Sequence, residues 1–184
     1  MDIQALFERS TGKWVSQRTS HHLVENRSES ARSDLMVEAL TKDDPAVVQL
    51  CQQQGFDPDL AVSGLKMSWK SIVVSSPSPQ VGTSLLVAIA DADHPNQGNL
   101  VSQVKTGQPT KGRYSMGDDE VLTLITETDA LYAEERIWFA GPNFRLRTGV
   151  VKRSGGFEVA SFCSEIRLGD VPSAATTGTA EAKS

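Results

Sequence analysis

The stretch Glu135–Gly149, ERIWFAGPNFRLRTG, sets a Gly141-Pro142 turn signal between two runs rich in aromatic, branched and arginine residues. Such a pair of runs reads as two antiparallel strands joined by a tight loop. With a symmetric loop, Phe139 faces Phe144, Trp138 faces Arg145 and Arg136 faces Arg147. Side chains alternate between the faces of a strand. Arg136, Trp138, Arg145 and Arg147 then share one face, and Ile137, Phe139, Phe144 and Leu146 share the other. Like charges opposite one another are mildly destabilising. The arginine face therefore needs carboxylates or an anionic ligand among its guanidinium groups, or else it is a solvated outer face.

Further strand-like runs lie on both sides of this hairpin, among them KWVSQRTSHHL, ARSDLMVEAL, LAVSGLKMSWKSIVV, TSLLVAIAD, EVLTLITET and FEVASFCSEIRL. Gly, Pro, Asn and Asp separate them, which predicts a mainly β fold, an antiparallel barrel or sandwich of about ten strands. Two short helices are expected besides. DIQALFERSTG can turn helical as far as Gly12, and in DDPAVVQLCQQQGF Asp44 can cap, Pro45 suits the first helical position and Val47, Leu50 and Cys51 repeat at helical spacing. Residues 1–168 read as one domain, and GDVPSAATTGTAEAKS, 169–184, as a disordered tail poor in large apolar groups.

On the first strand Trp14, Ser16, Arg18, Ser20 and His22 share a parity, so an inward Trp14 carries Arg18 inward with it. Leu65, Met67, Trp69, Ser71, Val73 and Ser75 likewise share a face. An inward arginine needs a partner.

Several functions are disfavoured. The net charge of −5 and the lack of a long basic stripe argue against a nucleic-acid partner, and no apolar run is long enough to enter a membrane as a spanning helix. Cys51 and Cys163 lack metal-ligand spacing, and the chain opens without an apolar signal segment, so a soluble protein of a reducing compartment is expected. The adjacent His21 and His22 point to opposite faces and cannot chelate together, so no metal is expected. Neither a nucleophile elbow nor a phosphate loop is present.

Gly12-Lys13-Trp14, before a string of antiparallel strands, is similar to the G-x-W signature of lipocalins and their calycin relatives. That resemblance implies a small barrel holding one ligand, with a late arginine, Arg167 or Arg153, packed over Trp14. Guanidinium forks match carboxylates, indole rings stack on extended π systems and an acid can pair with ring N–H groups. An open-chain tetrapyrrole would use all three. A fatty acid would leave the tryptophans and the acid idle.

FERSTGKWVSQRTSHHL, DDPAVVQLCQQQGFDP, GRYSM, LTLITET, EERIWFAGPNFRLRTGVVKRSGGF and ASFCSEIR together resemble the S-type phycobiliprotein lyases, the CpcS/CpeS family of cyanobacteria and of red-algal and cryptophyte plastids. The resemblance runs from about Phe7 to Arg167 and implies a barrel like those of lipocalins and fatty-acid-binding proteins. It implies an enzyme that takes a free phycobilin, phycocyanobilin or phycoerythrobilin, as substrate and attaches it through a thioether to a cysteine of an apo-phycobiliprotein subunit, without a cofactor. It also implies residence in a cyanobacterial cytosol or a plastid stroma.

Carried over by position, Arg18 and His21 match the family's SQRTxH segment, Trp69 its VSWxG strand, and Arg145 and Arg147 its NLRLRT strand, while Glu135 matches the acid before RIWF. The expected catalytic residues are Glu135, Arg145 and Arg147; the expected bilin-binding residues are Arg18, His21, Trp69 and, from the hairpin, Trp138. Hairpin parity alone favours Glu134 over Glu135. Six residues after Trp69, Ser75-Ser76 stands where many members have a second tryptophan and an acid. The alternatives are therefore a supporting subunit beside a paralogous S-type chain, a homodimer, or a non-covalent bilin or lipid carrier.

Overall fold

The computed structural model describes residues 1–76, 78–94, 96–105 and 107–169, so the expected tail lies, apart from Gly169, outside the described residues. Helix α1, Ile3–Ser10, leads into β1, Gly12–His22, and β2, Arg27–Leu40; α2, Pro45–Gln53, and a single 3-10 turn, Pro58–Leu60, precede β3, Ala61–Val73. There follow β4, Gln80–Ala90; β5, Gln97–Val104; β6, Thr110–Met116; β7, Leu122–Thr128; β8, Leu131–Gly141; β9, Phe144–Arg153; and β10, Gly156–Leu168. Each strand pairs antiparallel with its neighbours in sequence, and β1 also pairs with β10, closing a ten-stranded barrel. Closure removes the free sheet edges that would template aggregation.

Both helices form where they were expected, and the Asp44 cap of the second is borne out. Asp2 accepts from Ala5 N–H at 2.7 Å to start α1, and Asp44 accepts from Ala46 N–H at 2.9 Å ahead of Pro45 in α2. The α1 residues Ile3, Leu6 and Phe7 are buried among the inward Ala88, Leu100, Tyr114, Met116, Leu122 and Ile137, so this amphipathic helix plugs one end of the barrel. In α2, Val47, Leu50 and Cys51 pack on Val87, Ile89 and Val101 from outside the wall.

The lipocalin-like signature takes on a physical form at the plugged end. Trp14 is fully buried, with the guanidinium of Arg167 centred 4.2 Å from its ring and that of Arg145 at 4.7 Å. Its indole N–H donates to Ser10 O at 2.9 Å, tying β1 to the end of α1. Arg167 donates to the carbonyls of Arg9 and Thr11, whereas Arg153 is exposed and pairs with Glu158. Of the two arginines considered, Arg167 covers the tryptophan.

The arginine hairpin departs from the symmetric reading. The register shifts between Phe139 and Gly141, so Phe139 pairs with Arg145, Trp138 with Leu146 and Ile137 with Arg147. One extra residue on β8 moves its side chains to opposite faces relative to β9. Arg145 and Arg147 face inward with Glu135, Ile137 and Phe139, while Arg136 and Trp138 face outward.

Candidate functional site

The inward residues beyond the α1 plug enclose two cavities of about 330 Å³ each. One is largely apolar, with Leu86, Leu100, Leu124, Val151 and Val159 on its wall and Glu135 at its edge. The other is lined by Arg18, Trp69, Arg147, Cys163 and Glu165, with Ser16 and Gln80. A larger cavity of about 570 Å³ opens at the barrel rim between the β7–β8 and β9–β10 turns, along the outward Tyr132, Glu134 and Lys152. It carries none of the inward charges.

A string of alternating charge runs from the plugged end into the lumen. Arg145, about 3% exposed, meets Glu165, about 1% exposed, at 2.6 Å. The other Glu165 oxygen lies 3.9 Å from Arg147, and Arg147 lies 2.9 Å from Glu135. Burial alone would raise the Glu165 pKa, but Arg145 and Arg147 outweigh it and hold the carboxyl below its ordinary range. Burial also works against the charge on Arg147, and there Glu135 and Glu165 prevail, holding the guanidinium charged. For Arg145 burial wins and lowers its pKa. Arg147 Nε is buried and has no hydrogen-bond partner among the described residues.

Arg18 reaches the same cavity from β1 and has no ion pair among the described residues. Arg18, Arg145 and Arg147 thus outnumber Glu135 and Glu165 by one charge, an excess suited to an anionic guest. Trp69 projects from β3 opposite Gly82 of β4, where an added Cβ would stand 2.2 Å from the indole Cζ2. A residue without a side chain lets the ring lie flat along the wall. Cys163 lines the lumen beside Arg147, and burial pushes its thiol pKa up, the opposite of an activated nucleophile.

The family model for CpeS-like proteins matches residues 2–168. The chain belongs to the CpeS-like family. It is 50% identical over 171 residues to "Chromophore lyase CpcS/CpeS" of Thermosynechococcus vestitus, covering 92% of this chain and 94% of the relative. It is 37% identical over 179 residues to "Phycocyanobilin lyase subunit CpcS" of a Picosynechococcus strain, covering 95% and 90%. Among solved structures, the S-type phycobiliprotein lyase CPES from Guillardia theta superposes with a TM-score of 0.82 at 32% identity, covering 92% of this chain and 94% of that one.

In this CpeS-like barrel the sequence-predicted residues separate into three groups. Arg18, Trp69, Glu135 and Arg147 converge on the lumen. Arg145 is inward but committed to Glu165 and Trp14 at the plugged end. Trp138 lies on the outer face because of the β8 bulge, and His21 is exposed on the outer side of β1, where Ser28 Oγ stands 2.9 Å from its Nδ1. Neither contributes to the lumen wall.

His22, one residue on, has the inward parity of Trp14 and Arg18, and its Nε2 is buried without a partner among the described residues. Ser75 stands in a turn past the end of β3, exposed, with its hydroxyl donating to Glu29 at 3.1 Å. Glu165 was not anticipated. Its signal was the alternation Cys163, Glu165, Arg167 on the last strand, which shares the parity of the inward arginines once β9 and β10 are paired.

Proposed function

We propose that this chain is a phycobiliprotein chromophore lyase that holds a free phycobilin in the barrel lumen while a cysteine of an apo-phycobiliprotein subunit attacks it. The observation that carries this reading is the convergence of Arg18, Trp69, Glu135 and Arg147 on a lumen with one apolar and one charged compartment. Pockets of a few hundred Å³ with few convergent polar groups suit one extended organic ligand.

In the proposed mechanism, Arg18 and Arg147 clamp the two propionates as planar bidentate donors, Trp69 stacks on a pyrrole ring, and Glu135 accepts from pyrrole N–H groups or supplies a proton. The client thiol loses its proton and its sulfur forms a bond to the ethylidene carbon of ring A. The π electrons of that double bond take up a proton on the neighbouring ring carbon, so the addition needs neither oxidant nor cofactor. The barrel contributes orientation and fixed charges rather than a covalent bond of its own. Phycocyanobilin and phycoerythrobilin both satisfy these contacts.

No helix among the described residues is long and apolar enough to cross a membrane, and we place the activity in a cyanobacterial cytosol or a plastid stroma, beside its clients. The deciding experiment is reconstitution of the chain with each bilin and apo-phycobiliprotein subunits. A thioether adduct, seen by absorbance of the denatured client, supports the reading, whereas bilin binding without transfer would leave a carrier.

A second reading, a supporting subunit of a two-chain lyase, rests on Ser75, which stands in the turn after β3 where the resemblance places a second tryptophan in many members. It predicts weak transfer alone and a higher yield with a paralogous S-type chain or with Ser75→Trp.

A further inference from the structure

The registers of β9, β10, β1, β2, β3 and β4 stack the inward side chains in three rows from the plugged end toward the open mouth. In the first, Leu35 faces Trp69 and Trp69 faces Gly82, an apolar wall that carries the indole. In the third, Arg147, Cys163 and Arg18 stand side by side and bring the guanidinium groups. Between them run Ser16, Ser33, Ser71 and Gln80, each directly across from the next. All four line the charged cavity. Neighbouring rows lie two residues apart along each strand, about 7 Å.

The clamp and the indole leave this middle row without a task. Ser33 Oγ lies 2.6 Å from Ser71 Oγ, and either can donate. That one bond consumes one hydroxyl proton, so the other O–H of the pair and several lone pairs stay open to the cavity. Gln80, exposed on the mouth side, makes no side-chain hydrogen bond among the described residues. A polar group covered by a guest that cannot answer it forfeits the bond it made to water. The row therefore suits a guest whose edge carries donors and acceptors, and a hydrocarbon chain would strand it.

We propose that Ser71 and Gln80, with Ser33 behind them, form a subsite for a terminal lactam ring of the bilin, an inference that rests on the phycobilin reading of the lumen. A lactam sets one N–H beside one C=O. The primary amide of Gln80 presents the matching carbonyl and NH2 in one plane, and the Ser71 hydroxyl can give or take a further bond. The order of the rows matches the order of groups on the guest. The face of the terminal ring lies on Trp69, its lactam edge meets Ser71 and Gln80, and the propionate of the neighbouring ring reaches Arg18. The subsite thereby fixes the depth of the tetrapyrrole in the barrel, and with it the place where the reacting carbon awaits the client thiol.

The test is absorbance titration of the full chain with phycocyanobilin, with phycoerythrobilin and with the dimethyl ester of phycocyanobilin, whose propionates carry no charge. Gln80→Leu and Ser71→Ala are compared with the parent, and thermal melts confirm that each variant folds. Each substitution is expected to weaken binding about fivefold, by the same factor for the free acid and for the ester, because the lactam survives esterification. A loss equal for the two bilins assigns the lactam of ring A, which they share; a loss that differs assigns ring D, at which they differ. A loss seen with the acid and absent with the ester would show that Gln80 serves a propionate, and overturns the subsite. Client transfer by the parent, measured alongside, separates the two readings. Folded variants that bind and transfer as the parent does overturn the lactam subsite alone, whereas a parent that binds neither bilin overturns the lyase reading and the subsite together.

Discussion

Glu135 reaches Arg147 at 2.9 Å on a diagonal, because the residue directly across from Glu135 is Gly149 and the residue directly across from Arg147 is Ile137. The position across from Glu135 carries no side chain, and a Cβ there would stand 2.9 Å from Ser161 Oγ.

Glu135→Gln keeps the shape and removes the charge. With its side chain 37% exposed, the pair adds little to stability, under about 1 kcal/mol. The expected outcome is an unchanged melting temperature with transfer slowed roughly a hundredfold, as for loss of an acid–base group. Single-turnover transfer measured beside a thermal melt checks both halves, and a parental rate would remove Glu135 from the chemistry.

Arg145 and Arg147 should respond differently although they are two residues apart. Arg145→Ala strands Glu165 in the interior, which costs about 3–5 kcal/mol of stability, so urea denaturation should show a large loss. Arg147→Ala leaves that pair intact and should instead weaken bilin affinity by about 1.5–3 kcal/mol. A stable Arg145→Ala barrel that fails only in bilin binding would show that Arg145, too, serves the ligand.

The Glu165 carboxyl titrates below its ordinary value of 4.5 in the folded chain. A depressed carboxylate contributes stability that is fully present above the unfolded pKa and is lost as pH falls through the folded one. The stability gap between parent and Glu165→Gln is therefore expected to be widest at neutral pH and to shrink as pH drops below that value. Melts across this acid range read the gap directly; a constant gap would mean that the carboxyl titrates alike in the folded and the unfolded chain.

Gly82→Ala is expected to push the Trp69 indole off the wall, since the new Cβ would overlap it. Tryptophan fluorescence and near-UV circular dichroism should change and bilin affinity fall, with Trp69→Ala giving a similar loss of stacking of about 1 kcal/mol. Tight bilin binding by both variants would show that the ring is only a wall.

Much of this protein was determined by its sequence. Two-residue alternation put Trp14, Arg18 and Trp69 on one face each of their strands, the Asp44-Pro45 pair placed α2, and Gly12-Lys13-Trp14 marked a small barrel with a late arginine over Trp14, because periodicity, capping and turn chemistry are local. Only the tertiary structure decided the register of the arginine hairpin. A single bulge near Ala140 exchanged Trp138 for Glu135 on the lumen side, and nothing in the alternation of either strand betrays an extra residue between them. Glu165 gained its role in the same way, since its partners Arg145 and Arg147 come from β9 and meet it only when β10 is paired there. Which carboxylate answers which guanidinium depends on strand register, and register is settled by the packing of the whole barrel.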